Sequence, residues 1–153
     1  MNISELLKSA AIVDDLRCTE KNDILAELTD AIMGVEEGLD RNEVIRVLQE
    51  RENLGSTGIG DSVAIPHGKL KNIDRLLLSF GRSRAGVDFD SMDGKPAHLF
   101  FLLIAPEESV GVHLKTLARI SKLLKDPAVR QKLLDAEGCD GIYRVICEEE
   151  GKL

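Results

Sequence analysis

The apolar residues in the first part of the chain recur every three or four positions, which is the spacing of an amphipathic helix. The first such stripe comprises Ile24, Leu25, Leu28, Ile32 and Met33. Thr19 precedes this stripe as a candidate N-cap, and Gly34 follows it as a residue suited to a helix end. The pattern therefore predicts a helix between these two positions.

A second helical pattern begins shortly afterwards. Asp40 and Glu43 have the spacing of a capping box, in which two side chains satisfy free N–H groups at a helix start. The apolar stripe of this predicted helix comprises Val44, Ile45, Val47 and Leu48. Arg51 is thus expected at or just past the C-terminal end of the helix.

Strand patterns dominate the middle of the chain. Residues 63–65, 76–80 and 86–89 have strand composition, and Asp93–Gly94 predicts a turn after the last of them. Residues 99–104 form a continuous apolar run, which is typical of a central strand covered on both faces.

Helical patterns return after Pro106. The apolar positions of the first of these helices are Leu114, Leu117, Ile120 and Leu124. Asp126 and Pro127 are the cap and first-turn residue expected of another helix. The last predicted helix follows Gly138, and its apolar positions are Ile142, Val145 and Ile146.

This order of elements predicts the fold class. Helices before, between and after a small number of strands indicate an α/β layered structure. No internal repeat or linker divides the 153 residues, so we expect a single domain over residues 1–153. Ligands of open α/β sheets bind beyond the carboxyl ends of strands, and His113 lies just past the most buried strand, in or near the next helix's first turn.

Composition narrows the classes of function. The formal net charge of −7 argues against nucleic acid binding and favours a protein partner with a basic surface. No signal peptide pattern and no apolar stretch approaching about 18 residues is present, so we expect a cytoplasmic protein without membrane insertion. Cys18, Cys139 and Cys147 have neither disulfide nor zinc-knuckle spacing and are expected to be reduced packing residues.

Residues 51–69 hold a dense cluster of glycines and hydroxyl side chains, and residues 53–60 are expected to lack regular structure. Residues 55–62 nearly match the phosphate-binding pattern G-x-x-x-x-G-K-[ST], but Asp61 occupies the lysine position and would repel phosphates. The order of the glycines also differs from that of a dinucleotide-binding loop. A connection that only reverses the chain is the open alternative.

The three histidines are candidates for chemistry. His67 lies between Pro66 and Gly68. Proline restricts the backbone before it and glycine allows a sharp turn after it, so the ring is expected in a defined place. A neutral imidazole is a nucleophile near neutral pH. His98 is expected to be a strand-end residue, whereas His113 is either a helix-surface residue or a neutral donor to a phosphoryl oxygen.

The remaining chemistry indicates phosphoryl transfer. The histidines match no zinc motif, and the serines lack the G-x-S-x-G elbow of a hydrolase. Arg51 has the planar guanidinium that suits bidentate phosphate binding. A histidine nucleophile, a second histidine and an arginine can supply what phosphoryl transfer needs without a metal ion or another cofactor.

Four segments carry a family resemblance: residues 51–68, 87–90, 98–107 and 112–114. They resemble the enzyme IIA domain of the bacterial phosphoenolpyruvate:sugar phosphotransferase system (PTS), of the fructose, mannitol and nitrogen-regulatory class. The likeness extends over essentially the whole chain. It implies a single-domain fold with a mixed β-sheet flanked by helices.

The resemblance also implies roles for residues. As a phosphotransferase component, the chain would take a phosphoryl group on His67 from phospho-HPr or a nitrogen-branch HPr. Arg51 and His113 match positions that orient this histidine and hold the phosphoryl oxygens. Ser56 and Thr57 match a common pair that either donates hydrogen bonds or only shapes the loop. Asp61 matches a position that is often acidic or an amide, and its role is open.

The resemblance leaves the biological role open. A nitrogen-regulatory IIA, which acts through its phosphorylation state on a regulatory target protein, is favoured because the chain carries no fused IIB or IIC part. A sugar-specific IIA that passes phosphate to a IIB component is the alternative, and a non-catalytic interaction module is a third. The resemblance suggests Nε2 of His67 as the phosphorylated atom, which requires a hydrogen bond to hold Nδ1, such as one to a backbone carbonyl.

Overall fold

The computed structural model describes residues 2–109 and 111–153. The helices of this part of the chain are α1 (Ile3–Leu6), α2 (Lys21–Met33), α3 (Arg41–Asn53), α4 (Val112–Lys125), α5 (Pro127–Asp135) and α6 (Gly138–Glu150). Its strands are β1 (Ile12–Val13), β2 (Gly58–Gly60), β3 (Val63–Ala64), β4 (His67–Leu70), β5 (Leu77–Val87) and β6 (Ala97–Pro106).

The strands form one mixed sheet. The strand order is β1-β5-β6-β3-β2, and β4 also pairs with β6. The pairs β1/β5, β3/β6 and β4/β6 are parallel, whereas β5/β6 and β2/β3 are antiparallel. This arrangement confirms the predicted mixed β-sheet flanked by helices.

Strand β6 is the centre of the sheet and separates two apolar cores. Alternate side chains of a strand point to opposite faces, so Leu99 and Phe101 join one core while Phe100 and Leu102 join the other. The first core is covered by α4, α5 and α6, and the second by α2 and α3. The prediction of a strand buried on both faces is therefore confirmed.

Helix starts were predicted with mixed success. Asp40 is the N-cap of α3 and accepts hydrogen bonds from the backbone N–H groups of Asn42 (3.1 Å) and Glu43 (3.4 Å), and Asp126 likewise caps α5. The Thr19 cap is wrong, because Glu20 is the N-cap of α2 and its side chain makes no capping hydrogen bond with the described residues.

Two strand predictions need correction. The patterns at 76–80 and 86–89 belong largely to the single strand β5. The polar side chain of Arg82 interrupts the apolar pattern, yet it is fully buried because its guanidinium donates to the carbonyls of Leu133 (2.8 Å) and Ala136 (2.6 Å).

Residues 53–60 are not wholly irregular, since α3 extends to Asn53 and β2 occupies Gly58–Gly60. The turn from β2 to β3 contains Asp61 (φ 55°) and Ser62 (φ 70°), and positive φ at both central residues is typical of a tight hairpin turn. Strand β2 was not predicted because two of its three residues are glycines, which are uncommon in strands.

Strands β3 and β4 determine the position of His67 in the sheet. Both pair with the same edge of β6, with Val63 opposite Leu99 and His67 opposite Leu103. Pro66 lies between the two strands, and its carbonyl accepts a hydrogen bond from Leu103 N (3.0 Å). His67 therefore lies beside the end of β6 from which the chain continues toward α4.

Two further expectations concern individual side chains. Leu114 was expected to face the core but is 60% exposed, whereas Ile120 and Leu124 of the same stripe are buried. The three cysteines are half-buried, which agrees with the predicted packing role. Between residues 2 and 153, Val110 aside, no helix is long and apolar enough to cross a membrane.

Candidate functional site

A groove of about 660 Å³ lies between the C-terminal end of α3, strand β4, the end of β6 and the start of α4. Three of the predicted site residues line it together: Arg51, His67 and His113. Its apolar walls comprise Val47, Leu54, Leu103 and Ala105. Residues that are far apart in sequence thus meet in one open depression.

The ring of His67 is held by a local hydrogen bond. Its Nδ1 atom lies 2.8 Å from the carbonyl oxygen of Ile65. A carbonyl oxygen only accepts, so Nδ1 carries the proton, and the neutral ring keeps its lone pair on Nε2. The neighbouring Gly68 lets β4 approach α3 closely, because a Cβ at this position would lie 3.2 Å from Val47 Cγ2. The backbone around His67 thus fixes both the place and the tautomer of the ring.

The surroundings of His67 favour its neutral form. Burial lowers the pKa of the imidazole below its ordinary value because the charged form loses hydration. The hydrogen bond to Ile65 and the negative charge of Glu52 act in the opposite direction, whereas the positive charge of Arg51 and the neighbouring His113 lower the pKa further. The net direction is downward, so His67 holds an available lone pair near neutral pH.

Arg51 lies in the last turn of α3 and is half-buried. Its Nη1 atom donates a hydrogen bond to the carbonyl oxygen of Gly55 (2.8 Å). Over the described residues this is its one hydrogen bond, so the other N–H donors of the guanidinium are available at the groove. The guanidinium can therefore bind an anion next to His67.

His113 is the second residue of α4, which confirms its predicted position in the first turn. Helix α4 begins after Gly111, whose φ of 89° is a left-handed conformation that suits glycine. The Nδ1 atom of His113 is buried and has no hydrogen-bond partner within the parts of the chain that the structure describes. A buried polar atom without a partner is unusual in a folded protein, and it belongs here to a residue that lines the groove.

The two loop hydroxyls are already used within the loop. Ser56 Oγ donates to the carbonyl of Phe89 (2.6 Å), and the buried Thr57 Oγ1 bonds to the carboxylate of Glu52. Neither residue lines the groove. Of the two roles left open for this pair, these contacts support shaping of the loop.

Asp61 and His98 lie away from the groove. Asp61 is an exposed turn residue, and its backbone N–H donates to Asp93 Oδ2 (3.1 Å). His98 is in the second position of β6, and its ring occupies the space beside Gly86, where a Cβ would lie 2.8 Å from Nε2. In the described ranges 2–109 and 111–153, no group of three His, Cys, Asp or Glu residues could hold a metal ion.

Sequence reasoning missed Glu52, and it expected a backbone carbonyl at Nδ1 of His67 without identifying the residue that supplies it. The carbonyl of Ile65 bonds to the ring of His67, but a backbone oxygen leaves no signature in a sequence. Glu52 is buried and bonds to Thr57 and Lys21, although a glutamate in the last turn of a polar helix is normally interpreted as solvent-exposed. The one sequence feature that could have drawn attention to Glu52 is the cluster of glycines and hydroxyl side chains that follows it.

Comparisons with known proteins identify the class. Residues 5–149 match the family described as "Phosphoenolpyruvate-dependent sugar phosphotransferase system, EIIA 2". The chain belongs to this family, and it is an EIIA-type domain of the PTS.

Individual relatives come from both branches of the family. The chain is 41% identical over 146 residues to the nitrogen regulatory protein of Bradyrhizobium diazoefficiens, which covers 95% of each chain. It is 37% identical over 150 residues to the fructose-specific EIIABC component of Bacillus subtilis, where it covers 98% of this chain but only 24% of that longer protein. The crystal structure of nitrogen regulatory protein IIA-Ntr from Neisseria meningitidis superimposes with a TM-score of 0.87 at 32% identity, covering 94% of this chain and 98% of that one.

Proposed function

We propose that this chain is a phosphocarrier in which Nε2 of His67 accepts a phosphoryl group from phospho-HPr or a nitrogen-branch HPr. The observation that carries the proposal is the hydrogen bond between Nδ1 of His67 and the carbonyl of Ile65. It leaves Nε2 unprotonated in a groove that also contains Arg51 and His113. Membership of the EIIA family supports the same conclusion.

The chemistry follows from this arrangement. The Nε2 lone pair attacks the phosphorus atom, the bond between phosphorus and the donor's histidine nitrogen breaks, and its electron pair returns to the donor's ring. His67 keeps its Nδ1 proton throughout, and the new P–N bond is formed at Nε2. The three phosphoryl oxygens carry the negative charge, and N–H donors from Arg51 and His113 stabilise it without a metal ion.

We propose a nitrogen-regulatory role for the relay. The nitrogen regulatory protein of Bradyrhizobium diazoefficiens matches this chain over nearly the full length of both proteins. The second candidate is a sugar-specific IIA that passes the group to a IIB component, and the 37% identity to a fructose-specific EIIABC component favours it. A solved complex of enzyme IIA-Mtl with phosphorylated enzyme IIB-Mtl from Escherichia coli contains a chain with this fold (TM-score 0.78, 19% identity).

The proposed setting is the cytoplasm, with a protein donor of opposite charge. The net charge of −7 would attract a basic donor surface and raise the association rate more than the affinity. Such steering is screened by salt, so transfer should slow as ionic strength rises. A transfer rate that does not depend on salt would exclude electrostatic steering.

The direct test is incubation with phosphoenolpyruvate, enzyme I and HPr, followed by intact-mass measurement under alkaline conditions that preserve phosphohistidine. We expect wild type to gain one phosphate and His67→Ala to gain none. His98→Ala is the matched control, because this histidine lies outside the groove, and it should be phosphorylated like wild type.

The same reaction separates the alternatives. Wild type that gains no phosphate would overturn the relay and favour the non-catalytic interaction module. Movement of phosphate from the loaded chain to an added fructose- or mannitol-type IIB would favour the sugar-specific role. Binding of a regulatory target that changes on phosphorylation, without transfer to IIB, would favour the nitrogen-regulatory role.

A further inference from the structure

The buried carboxylate of Glu52 directly follows Arg51 in the last turn of α3. Its side chain is 4% exposed, and a carboxylate is rarely buried unless charged or polar partners compensate for its lost hydration. Its Oε1 atom accepts a hydrogen bond from the backbone N–H of Thr57 (3.1 Å), and Oε2 accepts one from the Thr57 hydroxyl. One side chain thus binds two groups of a single loop residue.

A lysine from α2 completes the environment of this carboxylate. Lys21 Nζ lies 3.0 Å from Glu52 Oε1, and it is itself held 4.8 Å above the centre of the Phe89 ring. Asp90, which follows Phe89, is 3.5 Å from the same ammonium group. The carboxylate is therefore anchored to α2 and to the segment after β5 as well as to its own loop.

Three consecutive hydrogen bonds connect this carboxylate to the imidazole. Glu52 Oε1 accepts from Thr57 N, the carbonyl of Thr57 accepts from Ile65 N (3.1 Å), and the carbonyl of Ile65 bonds to His67 Nδ1 (2.8 Å). The successive links are joined covalently within Thr57 and within Ile65, because the N–H and the C=O of each residue are separated only by its Cα atom. The carbonyl that sets the tautomer of His67 is thus held in place by a chain that ends on Glu52.

We infer that Glu52 is a positioning residue for His67, which it orients through Thr57 and Ile65. The inference rests on the proposed function, because orientation matters for transfer only if His67 is the phosphoryl acceptor. Glu52 does not line the groove, so it acts through the loop rather than on the phosphoryl group. It holds the Ile65 carbonyl where that oxygen keeps the proton on Nδ1 and the lone pair on Nε2.

Two physical effects support this role. The carboxylate of Glu52 holds the backbone of Thr57, and the hydrogen bond between the Thr57 carbonyl and Ile65 N in turn holds the backbone whose carbonyl contacts His67. Glu52 also raises the pKa of His67 through its negative charge and thereby opposes Arg51. Without Glu52, the N–H and hydroxyl of Thr57 lose their acceptor, and the loop between α3 and β3 loses the contact that fixes its position.

The experiment measures the tautomer of His67 in the unphosphorylated full chain, using long-range ¹H–¹⁵N correlations of the ring. Wild type should show a protonated Nδ1 and an unprotonated Nε2. Glu52→Ala should move the population toward the Nε2–H tautomer and slow phosphorylation by HPr about tenfold, since one buried hydrogen-bond network is lost. Glu52→Gln keeps an acceptor for Thr57 N, so its tautomer population and its phosphorylation rate should lie between those of Glu52→Ala and wild type.

Further variants separate positioning from stability. Thr57→Val removes the hydroxyl but keeps the backbone link, so its tautomer should stay near that of wild type. Glu43→Gln changes a carboxylate near the start of the same helix, whose side chain is 42% exposed, and should alter neither readout. If Glu52→Ala does not fold, as judged by circular dichroism, Glu52→Gln must by itself show a shifted tautomer for the inference to stand.

The outcomes distinguish this inference from the proposed function. An unchanged tautomer in a folded Glu52→Ala, or in Glu52→Gln if the alanine variant does not fold, overturns the positioning role even if wild type is phosphorylated. A shifted tautomer in a chain whose wild type accepts no phosphate supports the hydrogen-bond chain but overturns the relay. A shifted tautomer with slower transfer supports both.

Discussion

Arg82 is fully buried and Arg51 is half-buried, and the two arginines differ in how many of their N–H groups donate hydrogen bonds. Arg82 is 0% exposed, and its guanidinium donates to the backbone of Asp14 (3.0 Å), Leu133 (2.8 Å) and Ala136 (2.6 Å) as well as to the Asp14 carboxylate. These contacts join β5 to the end of α5 and to the segment after β1. Each nitrogen of the Arg82 guanidinium has an acceptor and the side chain is enclosed, so it serves the fold.

Arg51 instead borders the groove with one hydrogen bond to the described chain, the one to Gly55. His113, across the groove, has a buried Nδ1 that lacks a partner in the described residues. The comparison teaches that hydrogen-bonding environment, more than residue type, distinguishes an arginine that holds the fold together from the polar groups at the groove. Arg82 is enclosed by acceptors, whereas Arg51 and His113 have nitrogens without partners in the described residues, where a phosphoryl group is proposed to bind.

The largest expected effect is the loss of Arg82. Arg82→Met should lower the free energy of unfolding by about 3–5 kcal/mol, because it leaves buried carbonyls of α5 without a donor. Denaturant unfolding measures this change. Arg84→Met is the matched control: Arg84 is exposed and lies 4.0 Å from Asp14, so its effect should stay within about 0.5 kcal/mol. Equal losses of unfolding free energy in the two variants would contradict a structural role that is specific to Arg82.

Loss of Arg51 should affect the transfer rate strongly and the stability only weakly. Arg51→Gln should slow phosphorylation by HPr about 100-fold, since a cationic donor to the phosphoryl oxygens is lost, and change the unfolding free energy by less than about 1 kcal/mol. Quench-flow with mass detection measures the rate. Arg46→Gln, on the exposed face of the same helix, should leave the rate unchanged. A strongly destabilised Arg51→Gln with a normal rate would contradict the assignment.

His113 extends the comparison to an unsatisfied imidazole. His113→Ala should slow phosphorylation about tenfold, because one hydrogen bond to a charged oxygen is lost. It should also leave stability nearly unchanged or slightly improved, because a buried atom without a partner is removed. His98→Ala provides the control for removal of a histidine outside the groove, and a rate loss of similar size there would argue against a specific role.

The smallest expected effect is a shift in the titration of His67. Burial lowers its pKa, so its NMR titration midpoint should lie below the ordinary value of about 6.5. The neutral ring is the nucleophile, so the transfer rate should be constant as pH falls to about 6.5 and should decrease only through the lowered pKa. Arg51→Gln should raise the midpoint, because a nearby cation disfavours imidazolium. A wild-type midpoint at or above 6.5 would contradict the structure.

Local patterns predicted much of the fold. The caps at Asp40 and Asp126 are confirmed because capping depends on groups within one helical turn. The central strand β6 is confirmed because burial on both faces requires an unbroken apolar run. The predictions failed where distant contacts override composition, as at Arg82, or where a glycine-rich strand β2 completes a hairpin.

The candidate site was predictable in part. His67 is recognisable because the proline and glycine beside it are adjacent in sequence, and its meeting with Arg51 and His113 in one groove agrees with the predicted set. Their chemical roles stay predictions that the phosphorylation experiments test. A backbone carbonyl at Nδ1 of His67 was expected, but its assignment to Ile65 and the contacts of Glu52 were not, because burial and backbone geometry are not visible in residue types.

The sequence by itself determined the order of the helices from α2 to α6 and the central strand, and it carried the motif that places this chain in the EIIA family. These features follow from periodic burial and from hydrogen bonds between near neighbours. Only the tertiary structure decided that the Ile65 carbonyl is the partner of His67 Nδ1, that Arg82 is enclosed by acceptors and that Arg51 makes one hydrogen bond within the described residues. Desolvation and hydrogen-bond saturation depend on groups that the fold brings together from distant parts of the chain.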